Sequence, residues 1–165
     1  MTNNDHEFFT VDNLTGRFTP GETIYQEKSI GGAGSTISIS QGSAIITGTG
    51  LDGTYAADEF VKIVNGSDVA ILQILSVDSQ TQITLTAPWG FTSIQSGGSM
   101  VPVVAGTLNY YNLRNPFEMH LEGSSASSAK AFVSSSLIKG LDSGSTANIV
   151  SVSYTHLTLP TILLV

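Results

Sequence analysis

The chain has no cysteine among its 165 residues. That excludes a disulfide framework, a thiolate metal site and a cysteine nucleophile, and it leaves the redox compartment open. Basic residues are scarce as well. Six Lys and Arg, spread without a cluster, stand against thirteen Asp and Glu for a formal charge of -7. Nucleic-acid binding through phosphate neutralisation needs a basic patch, so that partner is set aside. With 12% charged residues in all, the chain lacks the Lys and Glu of long amphipathic helices. No apolar run reaches membrane-spanning length, and Met1-Thr2-Asn3-Asn4-Asp5-His6-Glu7 has no positive region followed by an apolar core.

What is present is β patterning. Apolar residues make up 41% of the chain, enough for a core, and short β-rich runs alternate with Gly-, Asn-, Asp- and Ser-rich turns. The stretch Ser43–Phe91 is the clearest. Phe60–Val64 ends in Asn65-Gly66, a dipeptide suited to a primed hairpin turn, and Val69–Val77 returns with apolar residues on both faces, which reads as a largely buried central strand. Ile83, Leu85 and Ala87 then alternate with Gln82, Thr84 and Thr86. Strands are predicted at 35–40, 43–47, 60–64, 69–77, 82–87 and 101–111, with Ile71, Ile74, Leu75, Ile83 and Leu85 as the main core. Pro102 favours an edge or strand end. Pro88 and Gly90 stop the sheet, leaving Trp89 and Phe91 to fold over an open end of the core; the competing reading is an exposed sugar platform. The fold class expected is all-β, a small β-sandwich or barrel-like module with flanking β-hairpin repeats.

The flanks carry an internal repeat. Phe132–Ile138 repeats the spacing of Phe18–Ile24, and Gly144–Ile149 repeats Gly34–Ile39. The expected organisation is a hairpin region at 1–42, a central module at 43–113, a linker-like segment at 114–131 centred on Gly123-Ser124-Ser125-Ala126-Ser127-Ser128-Ala129, and a second hairpin repeat at 132–151.

These residues resemble modules of tailed-bacteriophage virion proteins. The order Gly42–Gly50, Asp58–Ile63 and Ile74–Leu85 is similar to a phage β module in which a "V-T-G-T-G" strand precedes a "G-D-x-I" strand and an "I-x-S-I-x-S-D-T-x-L-T-L" hairpin. Ala57 stands where the usual Gly precedes Asp58. The flanking repeat resembles the "F-x-x-G-E-x-I-x-G-x-x-S-G-A-T-A-x-V" hairpin of tail and baseplate proteins; Glu22 matches its acid, while Ser135 and Ser136 replace Gly and Glu in the second copy. Residues 152–161, Val-Ser-Tyr-Thr-His-Leu-Thr-Leu-Pro-Thr, resemble the in-frame translation of a transposase-type sequencing adapter. On that reading 152–165 take no part in the fold, the native frame ran on beyond Ser151, and the sequence comes from an assembled environmental read.

Catalytic constellations are not found. His6 is in a polar terminus, His156 in the adapter-like segment, and no two histidines have metal-ligand spacing. His120 with Glu118 or Glu122 reads as a solvated strand-end pair. Asp52, Asp58 and Glu59 do not form a calcium loop. The glycines around Gly31 and Gly48 are followed by β signals rather than a helix, so they mark turns and not a phosphate cradle. No catalytic, metal or cofactor residue is assigned.

The resemblance implies a non-enzymatic virion component, associated with tail, baseplate or fibre, assembled in the host cytoplasm. Its partners would be other virion proteins, self-association included, joined at module edges. The alternative is a carbohydrate-binding or adhesin-like module, with Trp89, Phe91, Tyr110 and Tyr111 stacking on a host-surface glycan. A third class, an enzyme whose catalytic part lies beyond Ser151, stays open.

Overall fold

The computed structural model describes residues 6–28, 35–51, 53–112, 117–122 and 132–155. They form eleven strands and no helix: β1 (His6–Thr15), β2 (Thr23–Glu27), β3 (Ser35–Ile39), β4 (Ile45–Gly48), β5 (Phe60–Asn65), β6 (Asp68–Ser79), β7 (Gln82–Leu85), β8 (Ile94–Asn112), β9 (Phe117–Glu122), β10 (Leu137–Gly140) and β11 (Thr146–Thr155). The all-β expectation holds. Contacts divide the chain into two units, one of residues 1–25 with 106–165 and one of residues 26–105. In the second unit the ladder runs β8-β3-β4-β7-β6-β5 and then closes by pairing β5 with β8. In the first it runs β2-β10-β11-β1-β9-β8 and closes by pairing β2 with β8. Each unit is thus a closed antiparallel barrel. The 19-residue β8 gives its first part to one barrel and its last part to the other.

Pro102 lies inside β8 rather than at a strand end, and the ladder explains how. The β3 pairing ends at Ser35↔Met100, while Lys28 donates its N–H to the Pro102 carbonyl at 3.1 Å. Pro102 therefore sits where one neighbour has stopped and the next begins, so its missing N–H forgoes only the return bond to Lys28 at the end of that pairing.

One turn recurs four times. At Thr19-Pro20-Gly21-Glu22, Gly21 has φ +90° and donates its N–H to the Leu108 carbonyl, and Leu108 donates back to the Glu22 carbonyl. Gly42 (φ +76°) makes the same exchange with Trp89 through Ser43, Asp58 (φ +65°) with Ile74 through Glu59, and Ser135 (φ +62°) with Ile149 through Ser136. In the first three, the fourth residue's N–H closes on the first residue's carbonyl: Glu22 on Thr19, Ser43 on Ser40, Glu59 on Ala56. A positive φ at the third position with that closing bond is the type II turn, for which Pro20-Gly21 is the preferred central pair. Every copy docks on a buried residue and launches a strand: β2, β4, β5 or β10. The Phe18/Phe132 repeat read in the sequence is this turn, with both phenylalanines buried. Two further copies, at Gly42 and Asp58, were not legible as repeats because they share only the turn. At the third copy the left-handed position falls on Asp58 itself, one residue after the Ala57 that stands in place of glycine.

Ser135 occupies a backbone region that costs an L-residue about 1–2 kcal/mol. Its side chain is exposed, so glycine would lose no packing. Ser135→Gly is expected to stabilise the fold by roughly 0.5–1 kcal/mol, after allowing for glycine's freer unfolded state; a higher urea midpoint at unchanged slope would show it.

The core of residues 26–105 comes from inward residues of every strand of that barrel, among them Ile37, Ile46, Ile63, Ile74, Ile83 and Met100, together with Leu51, Tyr55 and Trp89 from the connections. The reading of Val69–Val77 as buried on most of its length is corrected. Only Ile74 is fully buried, and Leu75 is 58% exposed. Next to inward-facing Ile74, Leu75 points outward by simple alternation, and the register shift between Ile74 and Ser76 makes it the extra residue of a β-bulge that brings Val77 back to the core side. Ile71 is half-buried on the outer face, opposite Lys62, while Ala70 and Leu72 pack inward. The hairpin turn also shifts by one residue. Asn65 pairs with Asp68, so Gly66 and Ser67 are the central residues, and the positive φ at Gly66 alone (+63°) is the II′ pattern.

Domain limits differ from those read in the sequence. Residues 26–42 join the barrel that ends at Ala105, and residues 106–112 belong to the other unit. Within the expected linker at 114–131, Phe117–Glu122 form β9, which pairs with both β1 and β8; 114–116 and 123–131 lie outside the described residues. Val152–Thr155 continue β11 in register with β1, from Phe9↔Val152 to His6↔Thr155, so this part of the adapter-like segment is paired. Its alternating β-forming composition permits that pairing whatever its origin. Residues 156–165 lie outside the described residues.

Candidate functional site

The turns place two carboxylates. Glu22 closes the first copy, is 3% exposed, and has both oxygens occupied: Oε1 accepts the Thr19 N–H, and Oε2 accepts the Ser143 N–H at 3.0 Å. Gly140 lies against it so closely that an added Cβ would collide with the carboxylate and with the Ser143 hydroxyl. Glu22 thereby ties the turn before β2 to the β10–β11 turn, joining the two halves of the flanking repeat. Glu59 holds the equivalent place in the third copy. Its Oε2 accepts the Ala56 N–H at 3.1 Å, and its Oε1 receives Lys28 Nζ at 3.0 Å. Lys62 and Glu27 form a second ion pair in the same barrel. Both turn carboxylates are committed to backbone donors, which suits clamping rather than proton transfer.

Glu22→Gln would put an NH₂ group against one of two backbone donors. The expected cost is about 1–3 kcal/mol, the usual effect of leaving a buried donor unsatisfied, read as a lower urea midpoint.

Asp78 makes the other polar cluster, on the surface of the β6–β7 hairpin. Ser76 Oγ and Thr84 Oγ1 each donate to it at 2.7 Å, and Gln82 Nε2 at 3.3 Å. The Ser76 hydroxyl first, then that of Thr84, hold its carboxyl below the usual carboxylate range against the opposing effect of desolvation, with Gln82 adding to them. The folded pKa being the lower one, this contribution to stability is present above the ordinary carboxylate pKa and is lost as pH falls through the depressed value. A single surface carboxylate held by three side-chain donors is no metal site, and no group of three His, Cys, Asp or Glu able to hold a metal occurs among the described residues.

The aromatic candidates separate. Trp89 is fully buried, with its Nε1–H donating to the Thr92 carbonyl at 2.9 Å, so it offers no ring face to a sugar. Phe91 is 41% exposed and leans on Trp89 with ring centroids 5.0 Å apart and planes at 59°. Tyr110 and Tyr111 are on β8 in the other unit, in register with His120 and Met119. The four stacking residues are therefore not brought together within one barrel.

His120 Nε2 lies 3.8 Å from Glu118 Oε2, beyond hydrogen-bond distance. Asp52 lies outside the described residues; Asp58 is exposed at its turn, and Glu59 is engaged as above. Gly48 closes β4 where an added Cβ would come within 2.8 Å of the Thr36 carbonyl, so it allows a close approach of strands and no phosphate cradle. Among the described residues no helix is long and apolar enough to cross a membrane, which leaves strand-based crossing untouched. No family model, curated protein or solved structure matches the chain.

Proposed function

We propose that the chain is a non-enzymatic structural component of a tailed-phage virion, associated with tail, baseplate or fibre, and that it works by protein–protein assembly. The observation that carries this reading is the strand-launching turn, whose "F-x-x-G-E" and "D-E-F-V-K-I" forms are the stretches that resemble phage modules. Its two carboxylates clamp backbone amides, a use that builds rigid barrels rather than chemistry. Ladder closure changes how assembly would proceed. Modules joined at open edges were expected, yet a closed barrel presents mainly outer faces, loops and any strand that outlasts its neighbours.

The test is the gene neighbourhood of the coding sequence. Flanking genes for tail, baseplate or fibre proteins are expected; an operon of metabolic enzymes would overturn the assignment. The glycan-binding alternative is narrowed to Phe91 in this barrel, and a glycan array on the purified chain separates it from assembly.

A further inference from the structure

β6 outlasts both of its neighbours. Residues 68–73 pair with β5 on one side, while residues 74–79 pair with β7 on the other. The hairpin-closing pair Asn65↔Asp68 fixes where each backbone group points: Asp68, Ala70 and Leu72 face β5, and Val69, Ile71 and Gln73 face away. Gln73 still finds a partner, since its carbonyl accepts the Thr86 N–H at 2.9 Å. There the β7 side ends. Pro88 has no N–H to offer, and Trp89 turns to donate to the Ser43 carbonyl instead. The N–H and C=O groups of Val69 and Ile71 thus face no strand among the described residues, and both residues are half-exposed.

Natural proteins blunt such edges with lysine, proline or a bulge. The run Asp68-Val69-Ala70-Ile71-Leu72-Gln73 has none of these on its open side. It is also self-complementary. Laid antiparallel on itself about Ala70, Val69 of one copy opposes Ile71 of the other, so each free N–H meets a free C=O. The outward β-branched side chains form cross-strand pairs, and Asp68 opposes Leu72 rather than a second acid. We propose that this edge pairs with the same edge of a second copy of the chain, β6 to β6, around a two-fold axis. A foreign extended peptide could use the same hydrogen bonds, but register, apolar matching and the separation of the two Asp68 charges favour the chain itself. The proposal does not rest on the virion reading, since a self-pairing edge would act in a chain of any origin.

Sedimentation equilibrium of the full chain across the micromolar range is expected to show a reversible dimer. Ile71→Pro removes only an edge donor, leaving the β5 ladder intact, and should raise the dimer dissociation constant about tenfold or more with the circular dichroism spectrum unchanged. Because the native chain has no cysteine, a second readout is available that does not depend on that variant folding. Val69→Cys mixed with Ile71→Cys should form the 69–71 mixed disulfide in preference to either homodimer. A wild-type chain that stays monomeric throughout, a dimer indifferent to Ile71→Pro, or cysteine pairs that cross-link without preference would each overturn the proposal.

Discussion

Trp89→Ala is expected to unfold a large part of the population at moderate urea, with a loss of about 3–5 kcal/mol, the usual range for removing a buried large aromatic. Trp89 is fully buried against the core of residues 26–105, and its indole N–H is matched by the Thr92 carbonyl. Its backbone completes the exchange with Gly42 and Ser43, so that turn loses its packed anchor although the hydrogen bonds are formally kept. Phe91→Ala, at a half-exposed ring, should cost much less. Equal and small effects at both positions would mean that the 88–92 loop lies open and that Trp89 is available to a ligand after all. As the chain's one tryptophan, Trp89 also makes emission a direct reporter of this loop.

The second large effect contrasts adjacent leucine-sized residues on β6. Ile74→Ala should cost about 2–5 kcal/mol, because Ile74 is fully buried and also anchors the Asp58 turn. Leu75→Ala should stay within about 0.5 kcal/mol, because Leu75 lies on the outer face of the strand, in solvent. Urea denaturation of the two variants decides it, and a costly Leu75→Ala would mean that the faces of β6 are assigned the wrong way round.

How far the sequence could be read is clearest at these positions. Period-two alternation located β3, β5, β7 and the β5–β6 hairpin, because each presents one face to a core and the other to water. Within β6 that signal is ambiguous. Val69–Val77 is apolar on both faces, and nothing local says which residue is the extra one in a ladder whose partner lies further along the chain. Tyr55 was invisible for a related reason: it is buried by a loop, with its hydroxyl on the Met100 carbonyl at 2.9 Å, and loops carry no periodicity. The Glu22 clamp was half legible. The turn and its acid stand out as a motif, whereas Ser143 and Gly140 become its neighbours only through the β2–β10 pairing. Ser135, noted as a substitute for glycine, does adopt the left-handed backbone that glycine would favour.

The division of the chain has a kinetic consequence. Residues 26–105 are continuous, whereas the other unit pairs β1 with β11 across a separation of 141 residues at Thr10 and Ser151. Synthesis adds roughly 5–20 residues per second, slow beside the milliseconds to seconds in which small β domains form. The inserted barrel can therefore complete itself on the ribosome while β1 waits for β9 and β11 to emerge. During that interval β1 is a strand with both edges bare, the state in which β proteins are most exposed to pairing with the wrong chain. Slower translation through residues 106–155 would lengthen that wait, so the yield of correctly folded chain should depend on the speed of synthesis through those residues more than on the speed through residues 1–25.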